Sequence, residues 1–239
     1  MTTLTHDVPS ALVPTSDDAF QHVRYTIANA PLRTWPYLHK HVESVFPASY
    51  YEDLGRHFPT FEEMQPLNER YPNRRRFAVS DDGARSALSG ERRAFWDDFV
   101  ARFATRGFVD FFVRSFDPVL ADRSFGRLRP VIDLMFDAEG YGIGPHVDMR
   151  SKVITALFYL PERDEDVDAG TSILVKTGEG PPKPHHLNDW EGFESAFTAP
   201  YHTNSMLAFL VTRQSYHAVR PTAPGTIRRT LQMFIHQED

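Results

Sequence analysis

Leu128-Arg-Pro-Val-Ile-Asp-Leu-Met-Phe136 opens a part of the chain whose apolar residues no longer recur at helical spacing. The runs that follow are Lys152-Val-Ile-Thr-Ala-Leu-Phe-Tyr-Leu160, Thr171-Ser-Ile-Leu-Val175, Ser205-Met-Leu-Ala-Phe-Leu-Val211 and Ile227 to His236. All are short, rich in branched and aromatic residues, and bounded by Gly, Pro, Asn or Asp, which are strand and turn signals. Short strands separated by turn residues predict a sandwich or barrel. Upstream the signals are helical. Ala48 to Phe58 reads as a short helix with Ser49 as its N-cap. Ser89 to Phe103 carries Phe95, Trp96, Phe99, Val100 and Phe103 at three- and four-residue steps, one apolar stripe for a core. Gly107 to Leu120 repeats the pattern with Phe108, Phe111, Phe112 and Phe116, which periodicity assigns to packing rather than to a ligand box.

A sheet must bury its apolar face, so these helices are expected to cover one sheet of a mainly β, α+β protein. Residues 1–17, rich in Thr, Ser, Pro and Asp, read as a loose arm. Residues 18–239 read as a single domain, with 18–123 a helical and loop support and 124–239 the β core. Phe61 to Asn73 is proline-interrupted and reads as a surface loop near a site mouth. Asn73-Arg-Arg-Arg76 reads as a solvated basic loop, with gripping an anionic substrate as the alternative. Glu162 to Asp168 reads as a solvated acidic turn.

Composition narrows the function classes. With hydrophobic residues at 41% and charged residues at 24%, the chain falls among ordinary soluble globular proteins. Eighteen prolines favour turns over long helices, and nineteen phenylalanines favour an aromatic core. A formal charge of −6 gives no basic footprint for nucleic acid. Cysteine is absent, which excludes disulfides, thiol catalysis and Cys-ligated metals. No apolar run is long enough to span a membrane. The start, Met1 to Pro9, lacks the pattern of a secretory signal. A cytoplasmic protein is the expectation.

The chemistry is concentrated in His146-Val-Asp148, His217 and Arg228. His146 and Asp148 stand two apart where Gly140-Tyr-Gly-Ile-Gly-Pro145 ends and a β-rich run begins, so both can point to one side of a strand end. His217 lies in Ser215-Tyr-His-Ala-Val-Arg-Pro221, between two further strand-like runs. Two imidazoles and a carboxylate fill one face of an octahedral Fe(II) and leave the other open. His-x-Asp, a distant His and then Arg-x-Ser/Thr about ten residues on resembles the Fe(II)/2-oxoglutarate-dependent dioxygenase superfamily. The resemblance covers roughly Arg127 to the C-terminus; no motif in the first half matches residue by residue.

The resemblance implies a double-stranded β-helix core of the jelly-roll, cupin-like kind. It implies Fe(II) held by His146, Asp148 and His217, with 2-oxoglutarate and O2 as co-substrates. Arg228-Arg229-Thr230 matches Arg-x-Ser/Thr, with Arg228 as the fork for the distal carboxylate of 2-oxoglutarate and Thr230 as a hydroxyl donor to it. Residues two apart on a strand face the same way, which favours Arg228; the competing register makes Arg229 the clamp. Tyr141 is a further candidate for binding 2-oxoglutarate, although Gly140 and Gly142 beside it signal a turn. Arg129 could meet a substrate carboxylate or form a rim salt bridge. Asn204 precedes a strand and reads as a possible site residue or a turn residue. His185-His186 offers a second metal pair, but adjacent residues on a loop rarely chelate together.

The implied reaction is hydroxylation of an unactivated C–H bond of a small molecule, of amino-acid or secondary-metabolite type, with release of succinate and CO2. Desaturation, epimerisation and ring formation share the triad and stay open. Related halogenases leave the place of Asp148 to a small residue, so the aspartate argues for oxygen rather than chlorine transfer. Two other classes compete. A cupin-type metalloenzyme independent of 2-oxoglutarate would usually show His-x-His followed by Glu, which Met149-Arg-Ser151 does not supply. A non-catalytic jelly-roll binding module is disfavoured by the complete triad with Arg228. The oligomeric state and the substrate's identity are not encoded in any motif.

Overall fold

The computed structural model describes residues 16–116, 126–164 and 167–238. Among the described residues, eleven strands form two antiparallel sheets. The larger has seven strands, built from β1 (His39–Glu43), β2 (Gln65–Asn68), β3 (Tyr71–Ala78), β4 (Arg127–Asp137), β6 (Lys152–Tyr159), β9 (Ser205–Leu210) and β11 (Arg228–Glu238), in the order β1-β9-β6-β11-β4-β3-β2. The smaller orders β5 (Ile143–His146), β10 (His217–Val219), β7 (Ser172–Lys176) and β8 (Phe193–Thr198) as β5-β10-β7-β8. This is the jelly-roll expected from the five long apolar runs. Each run forms its strand to within two residues.

The large sheet sorts its side chains by the two-residue period of a strand. Ile132 and Leu134 of β4, Ile154, Ala156 and Phe158 of β6, and Leu231, Met233 and Ile235 of β11 all point outward into one apolar cluster. The helices α1 (Ser16–Asn29), α2 (Ala48–Arg56), α4 (Gly90–Phe103) and α5 (Arg106–Arg114) cover that face. Val23, Ile27, Leu54, Trp96, Phe99, Phe103, Phe108 and Phe112 supply the fill. The aromatic stripes therefore pack as periodicity required. The inner face of the same strands carries Asp133, Asp137, Thr155, Arg228, Thr230 and Gln232, all buried. A smaller apolar cluster that includes Leu157, Tyr159, Ile173, Tyr201 and Phe209 lies between the two sheets.

The stretch before residue 124 is not only helix and loop. It supplies β1 to one edge of the large sheet and the β2–β3 hairpin to the other. Phe61 to Asn73, expected as a surface loop, is a single 3-10 turn at Phe61–Glu63 followed by most of that hairpin. Prolines 66 and 72 are tolerated because β2 is an edge strand and β3 begins beside it. The basic run lies within β3, not in a solvated loop, and Arg74 is buried. The N-cap of α2 is Pro47 rather than Ser49, with no side-chain cap. The helix expected from Gly107 starts one residue earlier, where the Thr105 hydroxyl accepts from the Phe108 amide at 3.2 Å. It ends at Arg114, with Ser115 as its C-cap, short of the expected Leu120; residues 117–120 and most of the expected N-terminal arm lie outside the described residues. A short helix, α3 (Asp82–Ser86), joins the hairpin to α4.

β1 brings a pair of histidines into the space between the sheets. His39 and His41 lie two apart and flank Phe197 of β8, with ring centroids 5.8 and 5.7 Å away. Nδ1 of His39 bonds the Tyr37 carbonyl at 2.8 Å, while Nε2 of both rings is buried without a partner. Burial pushes both imidazoles below their ordinary value, and the charge of Arg33 adds to the effect. Both stay neutral in the folded chain at a pH where the unfolded chain, titrating near about 6.5, already binds protons. Stability is therefore complete above that value and declines as the pH falls below it. Urea unfolding should show a free energy that drops from about pH 7.5 to 5.5, with a shallower slope in a His39→Gln, His41→Gln double variant.

Candidate metal and co-substrate site

His146 ends β5 and His217 begins β10, and the two residues face each other directly in the β5–β10 pairing. Their ring centroids are 4.2 Å apart. Asp148 follows two residues after the strand end. One nitrogen from each ring and one carboxylate oxygen lie within 4.8 Å of one another. Each ring is oriented by a bond from Nδ1 to a backbone carbonyl two residues earlier, Gly144 at 2.9 Å and Ser215 at 3.0 Å. A carbonyl can only accept, so Nδ1 carries the proton in both rings and the lone pair sits on Nε2. Burial lowers the pKa of both imidazoles, with His217 adding to the effect on His146, so both rings are neutral.

Asp148 is held on both oxygens. Lys152 Nζ donates to Oδ1 at 2.7 Å and the Thr155 hydroxyl to Oδ2 at 2.6 Å. Burial alone would raise its carboxyl, but the charge of Lys152 and these two bonds outweigh it and keep the group ionised. Two neutral imidazoles and one fixed carboxylate on one side of a cavity are a donor set suited to a divalent octahedral ion.

The loop before β5 is shaped by its glycines. Gly140 has φ of +74°, a conformation open to glycine. At Gly142 an added Cβ would lie 2.1 Å from the Asn188 side chain and 2.9 Å from the Pro221 backbone nitrogen. The tight turn carries Tyr141 inward, where it is buried and accepts a hydrogen bond from Nη1 of Arg74.

A cavity of about 370 Å³ connects the triad to Arg228 and also has Arg74, Tyr141 and Thr171 in its wall. Arg228, 1% exposed, donates from Nη1 to Asp137 at 2.8 Å, from Nε to the Ala169 carbonyl at 2.7 Å and from Nη2 to the Thr171 hydroxyl at 3.3 Å. Tyr159 and Tyr201 flank the guanidinium, with ring centroids 5.6 and 5.8 Å from it. Asp137 is fully buried and also faces Nε of Arg74 at 3.0 Å. Two cations therefore share one anion, leaving a single positive charge.

Other sequence candidates fall elsewhere. Arg229 points away from this cavity and pairs with Glu162 of the expected solvated turn. Thr230 lies on the inner face beside Arg228, but its hydroxyl accepts from Gln232 Nε2 at 3.1 Å, and the cavity wall is formed by Thr171 instead. Arg129 makes a rim salt bridge to Glu238 at 2.8 Å. Asn204 is a brace, bonding both backbone groups of Phe46. His185 and His186 do not chelate together: His185 contacts the Tyr71 hydroxyl, and the two rings stand 6.3 Å apart. Arg74, Asp137 and Thr171 were missed by sequence reasoning. The single signal for Arg74 was the basic run, which three successive arginines made look solvated.

No family model matches the sequence, and no curated protein matches it. Solved structures do match its fold. A Pseudomonas putida prolyl-4-hydroxylase superposes at a TM-score of 0.58 and 13% identity, over 90% of this chain and 99% of that one. A Trichoplax adhaerens prolyl hydroxylase, in complex with a peptide fragment of the hypoxia inducible factor oxygen degradation domain, gives 0.56 at 12%, over 91% and 89%. An Arabidopsis thaliana dioxygenase for auxin oxidation, bound to 2-oxoglutarate, gives 0.55 at 11%, over 92% and 88%. This chain has the fold of these oxygenases across nearly its whole length. Among the described residues, no helix is long and apolar enough to cross a membrane.

Asp137 is the residue on which the charge balance of this site depends. Removing one partner of a buried ion pair costs about 3–5 kcal/mol, because the remaining charge is left without compensation. Asp137→Ala leaves two arginines facing each other and should lower the unfolding free energy by about that amount in urea titration. Glu162→Ala, which breaks the exposed Arg229 pair, should cost about 0–1 kcal/mol.

Proposed function

We propose that this protein is an Fe(II)- and 2-oxoglutarate-dependent oxygenase that hydroxylates an unactivated C–H bond of a small molecule. The observation that carries the reading is the pairing of His146 and His217 with Asp148 in the same cavity as a buried, forked cation, Arg228. When bound, Fe(II) with 2-oxoglutarate and O2 supplies the oxidising power for C–H functionalisation, with succinate and CO2 as by-products.

The chain's residues bind and orient. His146, Asp148 and His217 are the metal ligands, and they act neither as acids nor as bases. Lys152 and Thr155 fix the carboxylate of Asp148 so that it needs no reorganisation on metal binding. Arg228 uses three of its five N–H donors on protein acceptors, and the remaining two suit one end of a dicarboxylate. Tyr141 and Thr171 line the same end of the cavity and complete its polar wall. The single positive charge left by Arg74, Asp137 and Arg228 matches one carboxylate. Thr230 lies on the same face as Arg228 and accepts from Gln232, and Arg229 plays no part at the co-substrate.

The protein should bind one Mn(II) per chain in place of Fe(II), and His217→Ala should abolish that binding in a paramagnetic titration. A second titration separates the two arginines. Arg228→Ala should weaken 2-oxoglutarate binding by about 2–5 kcal/mol, roughly 30- to 3000-fold. Arg229→Ala should leave it within about fivefold, as an exposed pair is worth about 0–1 kcal/mol. With Fe(II) and a substrate, succinate should appear in step with O2 consumed, and the product should gain one oxygen atom. A product lighter by two hydrogens would redirect the assignment to desaturation or ring closure. Unimpaired 2-oxoglutarate binding in Arg228→Ala would overturn the clamp.

A further inference from the structure

Beyond the triad, away from Arg228, the same cavity is lined by Arg76, Asp133, Lys152, Gln232, Phe234 and His236. Strand register fixes their height. Arg228 lies opposite Asp137, whereas Gln232 lies opposite Asp133, four residues or roughly 13 Å further along β11. Phe234 lies opposite Thr155, the residue that holds Asp148. These side chains therefore stand at the level of the metal ligands, where a substrate must present its reacting carbon.

Asp133 is 6% exposed, and its Oδ1 stands 2.9 Å from Nη2 of Arg76. The contact is an ion pair off hydrogen-bond alignment. Oδ1 of Asp133 and Nε of Arg76 are both buried with no hydrogen-bond partner. Buried polar groups are nearly always hydrogen-bonded, and this pair, like Arg74 and Asp137 at the other end, has hydrogen-bonding capacity left over. Asp133 and Arg76 stand in the cavity wall, where a ligand can take it up. The neighbouring basic side chains, Lys152 and the imidazole of His236, which burial keeps neutral, are engaged elsewhere. Lys152 is held by Asp148 and lies 3.6 Å from the Phe234 ring centroid, and His236 faces Ser151 at 3.3 Å.

The sign of the charges selects the ligand. A lone cation would meet Arg76 on approaching Asp133, and a lone anion would meet Asp133 on approaching Arg76. A molecule that carries both charges as substituents of one carbon satisfies each wall residue at once. We infer that Asp133 and Arg76 recognise the ammonium and carboxylate of a free α-amino acid, which is the substrate class of this enzyme. The inference rests on the oxygenase reading above. The Phe234 ring and Leu67 offer apolar wall for the amino acid's side chain. At about 370 Å³ the cavity is near the small end of the ~300–1,000 Å³ range of ligand sites and must also admit 2-oxoglutarate. A residue within a peptide carries neither charge and leaves both wall groups unpaired.

The test is calorimetric titration of the Mn(II), 2-oxoglutarate-loaded protein without oxygen. The probes are the proteinogenic L-amino acids, then the N-acetyl and carboxamide forms of any that bind. At least one free amino acid should bind, and blocking either end should weaken it by at least about 30-fold. Asp133→Asn, nearly isosteric, and Arg76→Gln, at the half-exposed rim, should each impose a loss of the same order. Retained Mn(II) binding serves as the check that either variant has assembled its site. Binding of Mn(II) and 2-oxoglutarate with no amino acid bound would overturn this inference alone. Equal binding of blocked forms, or no loss in both variants, would also overturn it. Failure to bind Mn(II) or 2-oxoglutarate would overturn the oxygenase reading itself.

Discussion

The two-residue period of the large sheet is the constraint on which everything else depends. β11 alone carries Leu231, Met233 and Ile235 outward to the helices and Arg228, Thr230 and Gln232 inward. β4 does the same, with Ile132 and Leu134 outward and Asp133 and Asp137 inward. A register slip of one residue would put arginine and aspartate against phenylalanine from α4 and α5, and leave the cavity apolar. The helix-facing core thus does more than stabilise. Burying its alternate residues is what drives charged groups into the interior at fixed positions, where water is scarce and each must find a partner. Asp137 meets that demand for Arg74 and Arg228 together.

The small sheet contributes through position rather than mass. Cross-strand pairing of His146 with His217 brings together two imidazoles 71 positions apart in sequence. The carbonyls of Gly144 and Ser215 then select one tautomer in each ring. Asp148 needs no strand of its own, because Thr155 and Lys152 from β6 reach across to fix it.

Much of this was legible in the sequence, and the reasons differ by element. The apolar runs gave their strands away for two reasons: β6 and β9 are buried on both faces, and β4 and β11 alternate apolar with polar residues. His146, Asp148, His217 and Arg228 were legible as a group because their types and spacing resemble a known ligand set, and the fold does bring all four to one cavity. β1, His39-Lys-His-Val-Glu43, was not, since a mixed polar strand at a sheet edge carries little periodic signal. β3 was hidden for a related reason. Its inward arginines mimic a solvated charge run, and only the buried aspartates of β4, distant in sequence, explain them. Thr171 was not legible because it reaches Arg228 from the chain entering β7 of the other sheet, whereas alternation along β11 places only Thr230.

Both edges of the large sheet come from the first third of the described chain, while the strands they pair with come much later. β1 at 39–43 waits for β9 at 205–210, and β3 at 71–78 waits for β4 at 127–137. Contacts of such sequence separation form slowly, since the loop must close before any pairing rewards it. On a ribosome the edge strands emerge first and must remain unpaired until the centre of the sheet is made. The mixed composition of β1 and the prolines and arginines of β2 and β3 then have a second meaning. Segments that must wait in the open are poor templates for aggregation when they carry charge and proline.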